Sequence, residues 1–374
     1  MNEILFFGKN KLPTILKNEA DIITKPIQFK FENEKQIKQI STGRFATIFL
    51  FENGKAIEYL KNSKQNPSKI QIEENIQKVT VGEQNEAILT IEGNVFAKGR
   101  DINPKNPNEF TNISSLIEDI NDRIIQDIVS SSYSIYLLTS NQNAYGIGSN
   151  QFGQLGFKSL FKTEKPILIM KNVSKIFSGG DSNHAFLLNS NQELFGCGNT
   201  EFGQLGLGES INEEIQIKKL TEKGNFPEGK IIDIQSGELY SVMLIEFKAK
   251  RKLYSSGCYL NNGLCKNHDT YEFTELKSSL FENEDNIVKI SVGRGHTLIL
   301  TSNSKLIGFG NNDYGQLGTG DLNYQLTPIQ IELPKLRFNE NISNYHLSCG
   351  DFTSFLYCSL SSFSNLEEDS NQLI

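Results

Sequence analysis

Short apolar runs separated by polar turns recur along almost the whole chain. In the best-preserved copy, which spans Val288 to Gly310, an alternating apolar run leads to a glycine and a histidine, and two further apolar runs flank a polar turn. A second copy of this order spans Ser174 to Gly198. Short apolar runs bounded by Gly, Asn and Ser are typical of β-strands joined in hairpins, and neither copy contains a proline that would interrupt paired strands. The pattern therefore predicts an all-β fold.

A Gly-Gln-Leu-Gly motif follows the third apolar run in three copies. It ends the segments 148–156, 198–206 and 310–318, each of which begins with glycine and carries an aromatic residue just before the motif. Glycine permits tight, left-handed backbone, glutamine can bond backbone groups in a crowded loop, and leucine is free to pack between neighbouring sheets. We therefore assign structural roles to Leu155, Leu205 and Leu317.

The position of the glycine that ends the first apolar run gives the period of the repeat. Ser131 replaces it once, and the intervals of 39 to 57 residues define seven units at Gly43, Gly82, Ser131, Gly180, Gly237, Gly293 and Gly350. Each unit is long enough for four short strands. A period of roughly 50 residues is typical of propellers and solenoids.

The two ends of the chain each hold part of one unit. The first half that begins at Ile342 has no second half after it, whereas residues 3–10 form a second half without a first, in which Gly8 matches Gly310. A ring explains this division, because the shared unit closes it and hides its edge strands. We therefore predict a single seven-bladed β-propeller domain over residues 1–360, closed by pairing of the N-terminal strand with the C-terminal blade. Residues 361–374 are expected to be a disordered polar tail.

These motifs resemble the repeat of the RCC1 (regulator of chromosome condensation) family. That repeat runs from Gly-x-x-His-Thr through two apolar strands to Gly-x-Asn-x-x-Gly-Gln-Leu-Gly, and its best match here comprises Gly293, His296, Thr297, Gly310, Asn311 and the segment 315–318. The resemblance extends over residues 3–360 and is weakest in the first two units and in the unit at Gly237. It implies a seven-bladed β-propeller. The chain has no Trp, which excludes the Trp-based light sensing of some family members.

The resemblance implies a binding function. In the founding member of the family, the propeller catalyses nucleotide exchange on the Ran GTPase through acidic loop residues and a wedge inserted in one blade. We expect a non-enzymatic protein-interaction platform, in regulation of a small GTPase or in a signalling or cytoskeletal complex. The alternative is a guanine nucleotide exchange factor for a Ran- or Rab-like small GTPase.

Acidic loop residues are the first candidates for partner contact. Asp101 opens a long polar stretch, 101–122, which replaces Gly-Gln-Leu-Gly in its unit and which we interpret as a loop. The other acidic candidates are Asp181, Glu238 and Asp351 in first-half loops, and Glu201 and Asp313 in second-half loops. Asp313 and Asp351 belong to consecutive units, which could bring them together. Ordinary solvated side chains are the alternative for each.

One dense basic cluster is present in this acidic chain. The unit at Gly237 is predicted to have a longer hairpin turn than the others, and this turn carries Lys248, Lys250, Arg251 and Lys252. Such a cluster suits an acidic partner, a phosphate or an import receptor. A solvated loop tip is the alternative.

The sequence offers no set of catalytic residues. His184 and His296 hold the same repeat position, and since a catalytic residue is not normally duplicated around a ring, we expect both to be structural. Cys258, Cys265 and His268 lie close together, but their spacing is not that of a zinc module and a fourth ligand is missing. We therefore expect no enzyme activity, metal or cofactor.

Composition limits the class of partner and the compartment. The net charge of −7 and the pI of about 5.4 argue against a basic nucleic-acid-binding face, so DNA or chromatin contact is not expected. No apolar stretch is long enough to span a membrane, and the odd number of cysteines, five, indicates reduced thiols. We expect a monomer without membrane contact, in the cytoplasm, with a nuclear location left open.

Overall fold

A ring of seven four-stranded antiparallel sheets forms the protein. The computed structural model describes residues 4–12, 20–31, 36–61, 67–158, 161–208, 215–222, 226–261, 263–264, 266–281, 286–334 and 341–359. Every blade has its strands in sequential order, apart from one blade that combines both ends of the chain. The all-β, seven-bladed propeller predicted from the repeat is confirmed.

The strands of the first four blades follow one another along the chain. Blade 1 has β3 (Ile37–Thr42), β4 (Ala46–Phe51), β5 (Ala56–Leu60) and β6 (Ser68–Lys69). Blade 2 has β7 (Ile76–Val81), β8 (Asn85–Thr90), β9 (Val95–Gly99) and β10 (Thr111–Asn112). Blade 3 has β11 (Ile125–Ser130), β12 (Ser134–Thr139), β13 (Ala144–Ser149) and β14 (Lys162–Met170). Blade 4 has β15 (Val173–Phe177), β16 (His184–Asn189), β17 (Leu194–Gly198) and β18 (Ile215–Lys219).

The last three blades complete the ring. Blade 5 has β19 (Lys230–Ser236), β20 (Tyr240–Phe247), β21 (Lys250–Gly257) and β22 (Thr270–Glu275). Blade 6 has β23 (Ile287–Val292), β24 (His296–Thr301), β25 (Leu306–Gly310) and β26 (Gln325–Ile331). Blade 7 joins β27 (Tyr345–Cys349) and β28 (Thr353–Cys358) to β1 (Ile4–Lys9) and β2 (Ile22–Phe29). Within the described ranges, three short 3-10 helices span Ser114–Leu116, Ile120–Asp122 and Ile342–Asn344.

The two ends of the chain meet within blade 7, as predicted. β1 pairs in antiparallel register with β28, from Ile4 opposite Tyr357 to Gly8 opposite Thr353, and its other edge pairs with β2. Phe6 and Phe355 pack with their ring centroids 5.2 Å apart. The terminal strands therefore close the ring through both backbone and side-chain contacts. Residues 361–374, predicted to be a polar tail, lie outside the described residues.

Glycine at the end of the first strand lets neighbouring blades meet at the centre of the ring. A Cβ built on Gly350 would lie 2.9 Å from the carbonyl oxygen of Thr42 in blade 1, and a Cβ on Gly82 would overlap that of Ser131 in blade 3. A side chain therefore has no room here, and glycine is required for the close approach. The same crowding by a neighbouring blade's backbone occurs at Gly43, Gly237 and Gly293.

Blade 4 departs from the predicted glycine position. Strand pairing aligns Gly179 with Gly293, and a Cβ on Gly179 would overlap the carbonyl oxygen of Ser236 in blade 5. The assignment of Gly180 to this position is wrong, because the loop that leads to His184 is two residues longer than its counterpart in blade 6. A Cβ on Gly180 would instead lie 2.5 Å from the carbonyl oxygen of Val81 in blade 2.

Each of the three Gly-Gln-Leu-Gly turns packs its own blade against the next one. Leu155, Leu205 and Leu317 are fully buried and belong to apolar clusters shared with the following blade. In each copy the glutamine side-chain oxygen accepts a hydrogen bond from the backbone N–H two residues earlier, as Gln316 does from Tyr314 at 2.9 Å. Both glycines of the motif have positive φ in all three copies. The motif thus combines a tight turn with an inter-blade apolar contact.

Two irregular regions differ from their sequence-based interpretation. The stretch 101–122 contains the fourth strand of blade 2 and two 3-10 helices, so it is not simply a loop. In blade 5 the turn itself has only two residues, Lys248 and Ala249, both with positive φ, whereas β20 and β21 have eight residues each. The strands, not the turn, are therefore extended. No helix in the described part of the chain is long and apolar enough to cross a membrane.

Candidate interaction surface

The propeller has two ends with different connections. In each antiparallel blade the first-to-second and third-to-fourth strand connections emerge at one end, which we call the loop face, and the second-to-third hairpins emerge at the other, which we call the hairpin face. The two loop-face connections of a blade touch, as shown by the hydrogen bond of 2.8 Å from the Asn311 N–H to the Gly295 carbonyl. Loops on a rigid scaffold are where binding function usually resides.

A network of charged side chains lies at the centre of the loop face. The residue directly after the first-strand glycine is charged in five blades, and these five residues form a continuous chain of ion pairs through consecutive blades: Glu83, Arg44, Asp351, Arg294 and Glu238. We call this set the charged ring. Its five members lie in blades 2, 1, 7, 6 and 5, respectively.

The distances in the charged ring are shortest at its two ends. Arg44 Nη1 lies 2.6 Å from Glu83 Oε1, and Arg294 donates two hydrogen bonds of 2.8 Å to Glu238. Asp351, only 2% exposed, lies between the two guanidinium groups at 3.8 Å from Arg44 Nε and 3.5 Å from Arg294 Nη1. Burial raises the pKa of Asp351, and the neighbouring cations oppose that shift.

Blade 4 contributes a buried acid beside this network. Its longer loop carries Asp181, which is 6% exposed, and burial together with the charge of Asp351 raises the pKa of Asp181 to about 7. Lys11, from the connection between β1 and β2, donates a hydrogen bond of 2.6 Å to the Gly43 carbonyl. Burial lowers the pKa of Lys11 to about 8, although Asp351 and Asp181 act in the opposite direction. Asp181 and Asp351 are thus buried close to internal cations and are poorly accessible to a partner.

The structure separates the six acidic candidates into two groups. Asp181, Glu238 and Asp351 come together at the charged ring, whereas Asp101, Glu201 and Asp313 are carried by third-to-fourth strand connections of three different blades. Glu201 and Asp313 are exposed and Asp101 is half-buried. The loops of Asp313 and Asp351 do meet, but through Tyr314 and Phe352, whose ring centroids are 4.3 Å apart.

The basic cluster lies on the opposite, hairpin face. Arg251 donates a hydrogen bond of 2.9 Å to the Ile287 carbonyl and lies 3.5 Å from Glu246, and Lys252 lies 3.0 Å from Glu275. Lys248 Nζ lies 5.0 Å from the centroid of the Phe247 ring, and Lys250 is exposed. Two of the four cations are therefore paired with their own sheet, and the acidic and basic candidates do not form one site.

The repeat histidines connect blades. His184 Nε2 lies 2.7 Å from the Ser241 hydroxyl of blade 5, and His296 Nε2 lies 2.9 Å from the Ser354 hydroxyl of blade 7. Complete burial lowers the pKa of both histidines to about 3. In the described part of the chain, no group of three His, Cys, Asp or Glu side chains is arranged to hold a metal ion, and Cys265 lies outside that part.

In the part of the chain that the structure describes, the exposed aromatic side chains lie on the loop face. Among the described residues, the four aromatic side chains with large exposure are Phe45, Phe152, Phe161 and Tyr324, and all belong to loop-face connections. Phe161 is the most exposed at 76%. The hairpin side of the ring exposes aliphatic side chains such as Ile91 and Ile124 instead. Aromatic residues are enriched in protein–protein interfaces, so this face has the composition of a partner-binding surface.

Sequence reasoning missed both arginines of the network, the acid Glu83 and the neighbouring Lys11. Arg44, Glu83 and Arg294 each follow a first-strand glycine directly, so comparing the residues directly after these glycines would have found them. Lys11 has no such signal, because it belongs to the connection that closes the ring.

Comparisons with known proteins agree with this architecture. Two family models, both described as the Regulator of chromosome condensation (RCC1) repeat, match residues 287–316 and 303–357. Among curated proteins, the Drosophila melanogaster E3 ubiquitin-protein ligase highwire is 40% identical over 48 residues, which are 13% of this chain and 1% of that protein. An RCC1 domain-containing protein of Dictyostelium discoideum is 28% identical over 123 residues, covering 28% of this chain and 23% of the relative. The matches thus span less than a quarter of either relative.

Solved structures match nearly the whole chain. Human WBSCR16 superposes with a TM-score of 0.80 at 16% identity, covering 96% of this chain and 99% of that one. Prp20p from Saccharomyces cerevisiae gives a TM-score of 0.79 at 19% identity, covering 96% and 92%. At these identities the likeness concerns the fold. Together with the matched repeats, it identifies the chain as an RCC1-like seven-bladed propeller.

Proposed function

We propose that this RCC1-like propeller is a non-enzymatic protein-interaction platform that binds its partner with the loop face. The observation that carries the proposal is that, among the residues the structure describes, the exposed aromatic side chains all lie on that face: Phe45, Phe152, Phe161 and Tyr324. Burial of aromatic side chains supplies much of the energy of protein interfaces. The seven blades hold these residues on a rigid frame, which lowers the entropy lost on binding.

The charged ring supports a specific orientation of the partner. Glu238 and Arg294 are both about one-third exposed while paired with each other, so each keeps part of its side chain available at the centre of the face. Partly exposed charges at an interface contribute more to specificity and association rate than to affinity. The aromatic residues would then provide affinity, and the central charges would fix how the partner sits.

Paired substitutions on the two faces test the proposal. Phe152→Asp combined with Phe161→Asp places charges on the loop face, and Ile91→Asp combined with Ile124→Asp does the same on the hairpin side. Partners are recovered from the source cells by cross-linking to each tagged variant and are quantified by mass spectrometry. A partner bound by the unmodified chain should fall at least tenfold with the first pair only. Retention by the first pair, with loss by the second, would place binding on the other face.

Nucleotide exchange on a small GTPase is the second candidate function. It is favoured by the likeness to Prp20p, whose structure is reported with its binding properties to Gsp1p and histones. Asp313 is exposed and Asp101 is half-buried, whereas Asp181 and Asp351 are buried, so the first two are the acids to test. A panel of Ran- and Rab-like GTPases loaded with fluorescent GDP tests this function. Exchange predicts faster GDP release on one member, reduced by Asp101→Ala or Asp313→Ala; no acceleration on any member favours the platform alone.

A further inference from the structure

The tip of the blade 4 loop carries a buried acid that lacks a partner. Asp181 is 6% exposed, and its Oδ1 atom is buried without a hydrogen-bond donor. Among the residues that the structure describes, no cation forms an ion pair with this carboxyl group. A buried carboxylate is costly unless it is paired and hydrogen-bonded, whereas a neutral carboxylic acid is tolerated more easily. The position therefore favours the protonated form of Asp181.

Charged side chains from three other blades act on Asp181. Asp351 of blade 7 and Glu83 of blade 2 repel its carboxylate. Lys11 of blade 7 and Arg294 of blade 6 attract it. Burial is the largest effect, and together with the charge of Asp351 it raises the pKa of Asp181 to about 7. In this position the carboxyl group is therefore protonated below neutral pH and ionised above it.

The neighbouring polar groups bind one another and supply no donor to Asp181 Oδ1. Lys11 donates its hydrogen bond of 2.6 Å to the Gly43 carbonyl. The other charged and titratable side chains of the adjoining loops also bind other groups: Arg44 and Tyr133 bind Glu83, Arg294 binds Glu238, and His184 binds the Ser182 and Ser241 hydroxyls. Ionisation of Asp181 would thus leave a carboxylate buried without a direct partner.

The blade 4 loop has the features of a hinged segment. It is two residues longer than the corresponding loop of blade 6 and begins with two adjacent glycines, which permit large changes of backbone angle. A hydrogen bond of 2.9 Å from the Ser182 N–H to the Gly179 carbonyl closes its turn, and the Ser132 N–H of blade 3 donates to the Ser182 carbonyl at 2.9 Å. β15 ends at Phe177 and β16 begins at His184, so the tip can turn outward without loss of strand pairing.

We propose that residues 179–183, which we call the latch, form a device that responds to pH at the centre of the loop face. The latch is closed, as in this structure, while Asp181 is protonated, and it opens toward solvent as Asp181 releases its proton to water. The open latch adds a carboxylate to the loop face, so the charge of this face depends on pH. The latch is a property of the chain itself and does not rest on the platform proposal.

The pH range of opening follows from the two environments of Asp181. An aspartic acid in water has a pKa of about 3.9, whereas burial in the closed latch raises the pKa of Asp181 to about 7. Between these two values ionisation accompanies opening, so each unit of rising pH should favour the open latch about tenfold. Above a pH of about 7 both states are ionised and the effect should level off.

Amide hydrogen exchange between pH 5 and 8 measures opening of the latch directly. The Ser182 and Ser132 amides are bonded within the latch or to it, and each exchange rate is divided by that of an unstructured peptide at the same pH. The protection of these amides should fall about tenfold per pH unit up to a pH of about 7 and then level off. The amides of β16 in the same blade report global unfolding, and their protection should not fall over this range.

Four variants assign the pH dependence to Asp181. Asp181→Asn keeps the shape of the protonated acid and cannot ionise, so protection should stay high at every pH. Asp313→Asn, at an exposed acid of a blade 6 loop, should reproduce the unmodified curve. Lys11→Met removes an attracting cation and should move the level-off point to higher pH, whereas Asp351→Asn removes a repelling anion and should move it to lower pH.

Opposite shifts of the level-off point are not expected from lost packing, and they decide the question if Asp181→Asn does not fold. Protection that does not change with pH in the unmodified chain would overturn the latch. The same conclusion would follow if the pH dependence persisted in Asp181→Asn, or if Lys11→Met and Asp351→Asn did not move the level-off point in opposite directions.

Discussion

Phe7→Ala tests ring closure at the point where the two ends of the chain meet. Phe7 belongs to β1, is fully buried, and packs in one cluster with Leu298, Leu306 and Leu317 of blade 6. Its backbone pairs with Ser354 in β28. The Phe7 side chain therefore packs the N-terminal strand against blade 6, whose residues lie in the C-terminal part of the chain.

The expected loss follows from complete burial. Removing a buried phenylalanine side chain costs about 3–5 kcal/mol, because transfer energy is lost and the cavity is only partly refilled. Gly318 lies against the Phe7 ring, so no larger side chain stands ready to fill the space. We therefore expect Phe7→Ala to lower the free energy of unfolding, measured by urea titration, by about 3–5 kcal/mol.

Leu326→Ala is the matched control. Leu326 lies in the outer strand of blade 6 and is 40% exposed, so its loss should change the free energy of unfolding by about 1 kcal/mol or less. A Phe7→Ala variant that unfolds within about 1 kcal/mol of the unmodified chain would refute the reasoning. It would mean that β1 contributes little to the folded ring.

Three further predictions concern stability. Burial lowers the pKa of His184 and His296 to about 3, whereas an unfolded histidine has a pKa of about 6.5, so only the unfolded chain gains these protons between the two values. Each histidine should therefore reduce the free energy of unfolding by about 1.4 kcal/mol per pH unit as the pH falls below 6.5. His296→Gln should reduce the slope of the free energy of unfolding, measured by urea titration, against pH. Asp351→Ala leaves the partly exposed guanidinium groups of Arg44 and Arg294 without their shared carboxylate and should lower the free energy of unfolding, measured by the same titration, by about 1–3 kcal/mol. An unchanged free energy of unfolding would show that the charged ring contributes nothing to stability. Gly82→Ala should lower the melting temperature far more than Gly295→Ala, whose added methyl would meet only side chains at 3.2 Å or more, and equal effects would contradict the close-approach argument.

The ring could be predicted because its determinants are local and repeated. The first-strand glycine and the Gly-Gln-Leu-Gly turn each satisfy a steric requirement that recurs in several blades, so the spacing in the sequence reports the number of blades directly. Blade 4 shows the limit of this method. Adjacent glycines at 179 and 180 make the alignment ambiguous, and only strand pairing shows that Gly179 meets the next blade while the extra residues carry Asp181 inward.

The site could be predicted only in part because its chemistry depends on contacts between blades. Glu238 and Asp351 were recognisable as loop acids, but repeat position alone does not show that Arg294 donates to the first and lies 3.5 Å from the second. Burial was equally hidden: Glu238 and Asp351 hold the same repeat position, yet the side chain of Glu238 is 35% exposed and that of Asp351 is 2% exposed. Position within a repeat indicates which face a residue belongs to, whereas accessibility depends on the blade across from it.

The blades that match the repeat least well join their neighbours through different contacts. A glycine-rich turn with a buried leucine joins two blades without burying a charged side chain. The chain uses this turn between blades 3 and 4, 4 and 5, and 6 and 7. Between blades 1 and 2 it instead buries Glu58, Glu86 and Lys98, although apolar side chains of similar volume would often be at least as stable. Departures from local folding rules of this kind are expected mainly where function requires them. Stability alone does not explain why charged side chains replace an apolar contact at this junction.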